Sequence, residues 1–327
     1  MEKGRMRKAI LQYIMFSLLL CSYISNVYSV PIVDIEMETD REIYNVGDVI
    51  SITGNVTLDG TPVDDALVAI EIETPNGFTY VIRTVPTGEN ASGGYWKVII
   101  LDLYACDSTG DPKDIFNKGS FMYINLTIEN VDFVPHHVIA AIYIQCSDNT
   151  PLVAYYPFEG DVQDHQKMSS IFSLPLPSDA PSGEAIIFAN LYSDKPKDGG
   201  TAYCLEETAT FYIESTTPGA PQQPQYFNMV FKLPRTDVKL GDYIIYARSR
   251  YLTSLATKII SFNVVLLGDL FEDGKIDMRD IGAMASLYGT EEGDPDWNPD
   301  ADIVEDGVIN MRDIQAECDN YGKSAIY

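Results

Sequence analysis

A segment near the C-terminus occurs twice, and this duplication constrains the fold more than any other feature of the sequence. Residues 269–281, DLFEDGKIDMRDI, return 33 positions later as residues 302–314, DIVEDGVINMRDI, with nine of the thirteen positions identical. Identity on this scale at a fixed spacing rarely arises by chance. We therefore expect both copies to adopt the same local structure.

The acidic residues within each copy have the spacing of a calcium-binding loop. Such a loop supplies oxygen ligands from positions 1, 3, 5, 7, 9 and 12 and turns sharply at a glycine in position 6. Gly274 and Gly307 occupy position 6 of the two copies. The predicted ligands of two Ca²⁺ ions are Asp269, Asp273, the Lys275 carbonyl, Asp277 and Asp280 in the first loop, and Asp302, Asp306, the Val308 carbonyl, Asn310 and Asp313 in the second.

Position 3 departs from this pattern, because it holds Phe271 in the first loop and Val304 in the second. Each loop therefore loses one side-chain ligand, which water or the glutamates at position 4, Glu272 and Glu305, would have to replace. We expect a weaker affinity than that of a complete loop, roughly micromolar to millimolar. The alternative is that both loops are degenerate and bind no metal.

Each loop lacks the incoming helix of an EF-hand: a strand-like segment, residues 260–267, precedes the first loop, and a helix of about nine residues is predicted to follow it. Together with the segment DPDWNPDAD at 294–302, this arrangement resembles a type I dockerin of the archaeal secreted or surface type. The resemblance covers residues 266–327. It implies a small α-helical module with two F-hand calcium loops that docks onto a cohesin-type protein.

In that family, positions 10 and 11 of the loops contact the cohesin. The corresponding residues are Met278 and Arg279 in the first copy and Met311 and Arg312 in the second. The same pair in both copies would permit two binding poses related by a pseudo-twofold axis. The alternative is a calcium-stabilised cap that packs on the neighbouring domain of its own chain.

Residues 1–29 have the composition of a secretory signal peptide, with a basic start, an apolar run and small residues at Val27 and Ser29. The alternative is an uncleaved membrane anchor, although a run of about 17 residues is short for a membrane span. We predict a secreted or cell-surface protein with no membrane insertion after cleavage. The net charge of −26 argues against nucleic acid as a partner, because both would carry the same sign.

Short segments of alternating polarity separated by turn residues precede the repeat, which is typical of β-sandwiches. Val33, Ile35 and Met37, for example, alternate with acidic residues. Residues 39–77 resemble an Ig-like domain of the macroglobulin type, on the stretches YNVGD at 44–48, ITGNV at 52–56, GTPV at 60–63 and PNG at 75–77. The resemblance implies a fold but no activity.

The closing strands of such a domain follow soon after the Pro-Asn-Gly turn in that family, but matching segments occur here only at 230–234, 241–247 and 260–265. We therefore predict one split Ig-like β-sandwich, residues 30–85 plus 226–265, with a second β-sandwich, residues 86–215, inserted in it and followed by a linker, residues 216–225. The alternative is three β-sandwiches in series, the last one small. The predicted fold class is mostly β: two Ig-like β-sandwiches plus the small α-helical dockerin module.

Four cysteines follow the signal segment, and export permits disulfides, but the sequence does not choose among their pairings. Cys318 lies in the last predicted helix and is expected to be a buried thiol. Residues 177–183 and 195–200 resemble uncharacterised archaeal surface proteins that end in dockerin-like modules, and this resemblance implies a Cys106–Cys204 disulfide. Asn55, Asn90 and Asn125 begin N-glycosylation sequons.

The sequence contains no nucleophile elbow, glycine-rich phosphate loop or zinc motif, so the predicted function is that of a non-catalytic extracellular protein with a calcium-dependent docking or stabilising module. One alternative is a component of a polysaccharide-degrading assembly that binds polysaccharide through exposed rings among Tyr155, Tyr156, Phe158 and Tyr203. Buried rings would contradict it. A glycoside hydrolase is the other alternative, and it requires two facing carboxylates in a pocket.

Overall fold

The computed structural model describes residues 31–88, 96–213, 227–251 and 254–326, and Val33–Tyr327 forms one compact unit. The helices of the described residues are α1, Met278–Ser286, and α2, Met311–Asn320, besides two 3₁₀ turns at Pro196–Asp198 and Pro299–Ala301. The strands are β1 Val33–Thr39, β2 Ile43–Asn45, β3 Val49–Leu58, β4 Thr61–Pro62, β5 Leu67–Glu73, β6 Thr79–Pro86, β7 Val98–Cys106, β8 Ile115–Phe116, β9 Phe121–Asn130, β10 His136–Cys146, β11 Pro151–Val162, β12 Lys167–Pro175, β13 Gly183–Tyr192, β14 Glu207–Ile213, β15 Phe227–Lys232, β16 Val238–Lys239, β17 Gly241–Tyr251, β18 Ser254–Val265 and β19 Ala325–Ile326.

The alternation predicted for the first strand is confirmed. In β1, Val33, Ile35 and Met37 are buried and the acidic residues between them are exposed, because successive side chains of a strand point to opposite faces of the sheet. In β5, by contrast, six consecutive residues are buried. This strand is covered on both faces, since Ile70 and Ile72 contribute to one hydrophobic cluster and Ala69 to another.

Two sheets, which we call the outer sheet pair, combine distant parts of the chain. One has the order β1–β3–β15, with β4 paired to β3, and the other has the order β2–β18–β17–β5–β6. β15 pairs with β3 and β17 pairs with β5, both antiparallel. One hydrophobic cluster includes residues of both sheets, such as Ile35 and Phe262. The segments 33–86 and 227–265 therefore complete each other's core.

Two further sheets, the middle sheet pair, are built from residues 98–213. Their orders are β11–β10–β13–β14–β8 and β12–β9–β7. Their shared hydrophobic cluster includes Val98, Ile124, Ile142 and Phe211. Nearly every strand pair is antiparallel, and the short β8 runs parallel to β14.

The middle and outer sheet pairs meet through buried side chains. Tyr143 and Phe188 of the middle pair belong to the hydrophobic cluster of the outer pair. Arg83 in β6 forms an ion pair with Glu206 at 2.9 Å, and its guanidinium lies 3.7 Å from the centre of the Phe188 ring. Thr84 donates from its hydroxyl to the Tyr192 hydroxyl at 3.1 Å. These contacts account for the single compact unit.

The C-terminal repeat is joined to the same unit. β19 forms a parallel pair with β16, and the Ser324 N–H donates to the Arg235 carbonyl at 2.9 Å. Ile276, within the first predicted calcium loop, is buried in the hydrophobic cluster of the outer sheet pair. Part of the repeat therefore packs in the core of the sheets before it.

The predicted fold class is wrong in its division into two Ig-like β-sandwiches plus an α-helical dockerin module. The described part of the chain is mostly β, with 53% of its residues in strands and two short helices. A separate helical module is not shown among the described residues. The repeat has only a small cluster of its own, around Met284, Ala301 and Ile309, because helices of nine and ten residues bury little surface, and its Ile276 packs in the core of the outer sheet pair.

The cysteine predictions are also corrected. The Cys106–Cys204 disulfide is absent, since Cys106, Cys146, Cys204 and Cys318 are all free thiols. Burial raises the pKa of Cys146 and of Cys204 to about 12. Cys318 is exposed rather than buried, because α2 turns a polar face with Asp313, Glu317 and Asn320 into the protein.

Candidate calcium loops

The two repeat copies, loop 1 (residues 269–280) and loop 2 (residues 302–313), have matching backbone hydrogen bonds at their start. Asp269 accepts from the N–H groups of Asp273 at 3.1 Å and Gly274 at 2.8 Å. Asp302 accepts from Asp306 and Gly307 at the same two distances. The position-1 carboxylate therefore closes each loop around its position-6 glycine.

Both loops also place positions 4 and 6 in the left-handed region. The φ angles are 50° at Glu272 and 53° at Glu305, and 82° and 81° at the two position-6 glycines. Glycine adopts such angles without the steric penalty that a Cβ brings. The shared angles explain why this residue pattern recurs in both copies. Glu272 and Glu305 are exposed, as are Phe271 and Val304.

The position-12 carboxylates connect each loop to the helix that follows it. Asp280 accepts from the Asp277 N–H at 2.8 Å, and Asp313 accepts from the Asn310 N–H at 2.8 Å. Asp277 and Asn310 are the N-cap residues of α1 and α2, and each forms a reciprocal capping box with the position-12 residue. Asp280 and Asp313 are both buried.

Loop 2 gathers carboxylates at one point. Asp302, Asp306 and Asp313 each offer an oxygen, and these oxygens lie within 4.8 Å of one another. Asn310 donates from its side chain to the Val308 carbonyl at 2.9 Å, which places two further predicted ligands beside each other. Hard oxygens at loop positions 1, 5, 7, 9 and 12 are the ligands that Ca²⁺ takes, so the residues of loop 2 fit this ion.

In loop 1, an arginine side chain contacts two of the predicted ligands. The Arg279 guanidinium contacts the carboxylates of Asp273 and Asp277. Hydrogen bonds from the Arg279 backbone and side chain hold the pKa of Asp277 below its usual value. In loop 2, the corresponding Arg312 lies 3.5 Å from Asp306. Two of the predicted carboxylate ligands of loop 1 therefore form ion pairs with the same arginine side chain.

Glu317, which is not among the predicted ligands, is a buried carboxylate next to loop 1. It is 0% exposed, and neither of its carboxylate oxygens has a hydrogen-bond partner within the described part of the chain. Burial, followed by the charges of Asp280 and Asp269, raises the pKa of Glu317 to about 8. A signal was present in the repeat: the position equivalent to Glu317 in the first copy is Met284.

The end of each helix pairs with the loop of the other copy. The Ile309 N–H donates to the Thr290 carbonyl, just after α1, at 3.0 Å. The Ile276 N–H donates to the Lys323 carbonyl, just after α2, at 3.1 Å. This reciprocal exchange links the two copies into one structure.

The four predicted partner contacts are on the surface. Met278 and Met311, the first residues of α1 and α2, are 66% and 61% exposed. Arg279 and Arg312 are exposed too, and each reaches back to the carboxylates of its own loop. Large apolar side chains with this exposure are available to a partner surface.

The predicted glycosylation residues differ in their surroundings. Asn55 is half-buried and donates to Glu36 at 3.0 Å. Asn125 is buried in β9 and accepts from the Thr127 hydroxyl at 3.3 Å, so a glycan on it would have to displace these contacts. Asn90, the signal segment and the linker at 216–225 lie outside the described residues.

The aromatic side chains predicted as sugar-binding rings are partly buried and pack against hydrophobic clusters. Tyr155, Phe158 and Tyr203 pack against the hydrophobic cluster of the middle sheet pair, and Tyr156 packs against Ala69, Ile82 and their neighbours. The hydroxyl of Tyr203 donates to the His137 carbonyl at 2.9 Å. Each of these four rings is therefore partly buried.

An open groove of about 660 Å³ lies along β1 and β3, and its lining includes Glu36, Glu38 and Lys258. Within this groove, the Glu36 carboxylate accepts a hydrogen bond from the Asn55 side chain. The groove belongs to the outer sheet pair. Among the described residues, no helix is long and apolar enough to cross a membrane.

No protein-family model and no curated protein matches the chain. Among solved structures, the chain is similar over 38% of its length to the C-terminal domain of wzt, with 14% identity, 77% of that chain covered and a TM-score of 0.32. It is similar over 38% of its length to the Pseudomonas fluorescens alkylpurine DNA glycosylase AlkC, with 11% identity, 32% of that chain covered and a TM-score of 0.29. For a β-glucosidase from Listeria innocua the values are 39% of this chain, 14% identity, 17% of that chain and a TM-score of 0.25. Scores this low identify no family.

Proposed function

We propose that this is a non-catalytic exported protein whose C-terminal loop pair binds Ca²⁺ and thereby holds the end of the chain against the β-sheets. The observation that carries the proposal is the convergence of Asp302, Asp306 and Asp313 oxygens within 4.8 Å in loop 2. Asp302 and Asp313 are buried. Buried like charges at such separations repel strongly unless a cation neutralises them.

Calcium bound at these loops would act on the whole C-terminal segment. The position-12 ligand of each loop also caps a helix, and the helix ends pair with the opposite loop. Because Ile276 of loop 1 is part of the core of the outer sheet pair, an ordered loop 1 supports that core. Binding to the folded state alone stabilises a protein by about 2.7 kcal/mol when calcium is present at 100 times its dissociation constant.

The loop pair is also the proposed docking surface. Met278 and Met311 are exposed at equivalent places in the two copies, and the sequence of the repeat resembles that of type I dockerins. We therefore propose a cohesin-type protein as the partner, with these methionines and the neighbouring arginines as the contact residues. The signal-like residues 1–29 support a secreted or cell-surface location.

Calorimetric titration of the full chain with CaCl₂ tests calcium binding. We expect two binding events in the unmodified protein, of which Asp306→Ala removes the loop 2 event and Asp273→Ala weakens the loop 1 event. These position-5 residues are matched, and both are exposed, so neither substitution opens a cavity in the core. Thermal unfolding should occur at a higher temperature in CaCl₂ than in EDTA. Absence of binding heat together with equal unfolding midpoints in the two buffers would refute the proposal.

A further inference from the structure

The surroundings of Glu317 do not fit a purely structural carboxylate. Its side chain is fully buried, and both of its oxygens lack a hydrogen-bond partner within the described residues. The charges that act on it include those of two loop 1 carboxylates, Asp280 and Asp269, as well as that of Lys323. An unpartnered carboxylate in such a place is costly, and ions in protein interiors are normally paired or coordinate a metal.

The backbone before loop 1 leaves space for this carboxylate. A Cβ on Gly268, the residue before Asp269, would lie 1.7 Å from an oxygen of Glu317. The φ angle of Gly268 is +95°, a region that other residues rarely adopt. The Glu317 carboxylate therefore reaches the start of loop 1, where the position-1 ligand follows directly.

The corresponding place beside loop 2 is apolar. The repeat offset of 33 residues relates Glu317 to Met284 and Gly268 to Ala301. Met284 and Ala301 are fully buried in one small cluster with Ile309. A methionine and alanine next to loop 2 are thus replaced by a glutamate and glycine next to loop 1. Both changes are needed to bring a carboxylate there, since a side chain at residue 268 would occupy its position.

Both loops lack an oxygen ligand at position 3, and in loop 1 two further carboxylates are engaged by an arginine of the protein. Position 3 of loop 1 is the exposed Phe271, and the two carboxylates are those of Asp273 and Asp277, which Arg279 contacts. Loop 2 has a group of three converging carboxylates of its own. Ca²⁺ requires six to eight oxygens, so a carboxylate from outside the loop would compensate for the missing ligand.

On this geometry, and resting on the proposed function, we propose that Glu317 is a ligand of the loop 1 calcium ion, supplied across the repeat by α2. The ion of loop 1 is then held by both copies, whereas the ion of loop 2 is held by loop 2 itself. α2 must be in place for loop 1 to bind calcium, which makes the loop 1 ion a clamp between the two copies.

The test uses the full chain carrying Asp306→Ala, so that loop 1 alone is titrated with CaCl₂ by calorimetry. Adding Glu317→Gln keeps the shape of the side chain and removes its charge. We expect the affinity of loop 1 to fall by at least the roughly 10- to 100-fold typical of losing a group around a metal site. Glu292→Gln, which changes an exposed glutamate, is the matched control and should leave the affinity unchanged.

A second variant separates calcium binding from folding. Glu317→Met introduces the residue of the equivalent position 284, so it should raise the thermal midpoint in EDTA while weakening calcium binding at loop 1. A purely structural glutamate would give the opposite pattern, with lower stability and unchanged affinity, and that result overturns the inference. Unchanged loop 1 affinity in Glu317→Gln overturns it as well and leaves the proposed function intact. Failure of the unmodified protein to bind any calcium overturns both.

Discussion

Replacing Glu206 by alanine should destabilise the protein by about 3–5 kcal/mol, the usual effect of removing one partner of a buried ion pair. The Arg83 and Glu206 side chains are 18% and 9% exposed and lie 2.9 Å apart. Burial alone would lower the pKa of Arg83, but the adjacent Glu206 carboxylate outweighs it and raises that pKa. Glu206 also accepts from the Thr84 N–H at 3.2 Å and the Asn190 amide at 3.0 Å. Its removal would leave a buried guanidinium and two further donors without their acceptor.

Urea and thermal unfolding of the full chain measure this effect. The expected loss corresponds to a fall of on the order of 10 °C in the unfolding midpoint. Glu207→Ala, at the exposed neighbouring residue, is the matched control and should stay within about 0.5 kcal/mol of the unmodified protein. The double variant Arg83→Met with Glu206→Leu should recover much of the loss, because it removes both charges. Equal stabilities of Glu206→Ala and Glu207→Ala would refute this account of how the two sheet pairs are joined.

Two further predictions concern the C-terminal repeat. Gly268→Ala should lower the calcium-free stability more than Gly289→Ala. Both glycines have positive φ, but of the two only Gly268 would place an added Cβ against other atoms, those of Glu317. Equal losses of stability in urea unfolding would contradict the close approach of Glu317. Among the described cysteines, Cys318 alone should react with a thiol reagent in the native protein, since the other three are buried and burial raises their pKa. Peptide mapping by mass spectrometry measures the modification. Equally fast modification of Cys146 would contradict this prediction.

Local features of the candidate site follow from neighbouring residues and were predictable. The equal spacing of acids and glycines in the two copies led to the expectation of equal loops, and their hydrogen bonds at positions 1, 5 and 6 agree in distance. The helix after loop 1 is present as predicted. Such features depend on contacts within about a dozen residues, where hydrogen-bond geometry and the freedom of glycine leave few alternatives.

Burial in the last helix was not predictable in the same way. Thiols are ordinarily buried and carboxylates exposed, which agrees with the prediction of a buried Cys318. The burial of Glu317 was not predicted from the sequence. The structure reverses both, because α2 directs Asp313, Glu317 and Asn320 inward. Asn320 accepts from Asn45 at 3.3 Å, a residue 275 positions earlier in the chain. Nothing in the neighbourhood of α2 in the sequence indicates that contact.

The sequence by itself determined the β character of the chain, the alternation of β1, and the two loops with their ligand spacing, because each rests on a short repeating pattern. Only the tertiary structure decided that the repeat is not a separate helical module and that Ile276 belongs to the core of the sheets. It also decided that a glutamate from the second copy faces the first loop. These outcomes depend on which distant segments cover one another, since a short helical segment with only a small cluster of its own gains most of its stability by packing against a larger core.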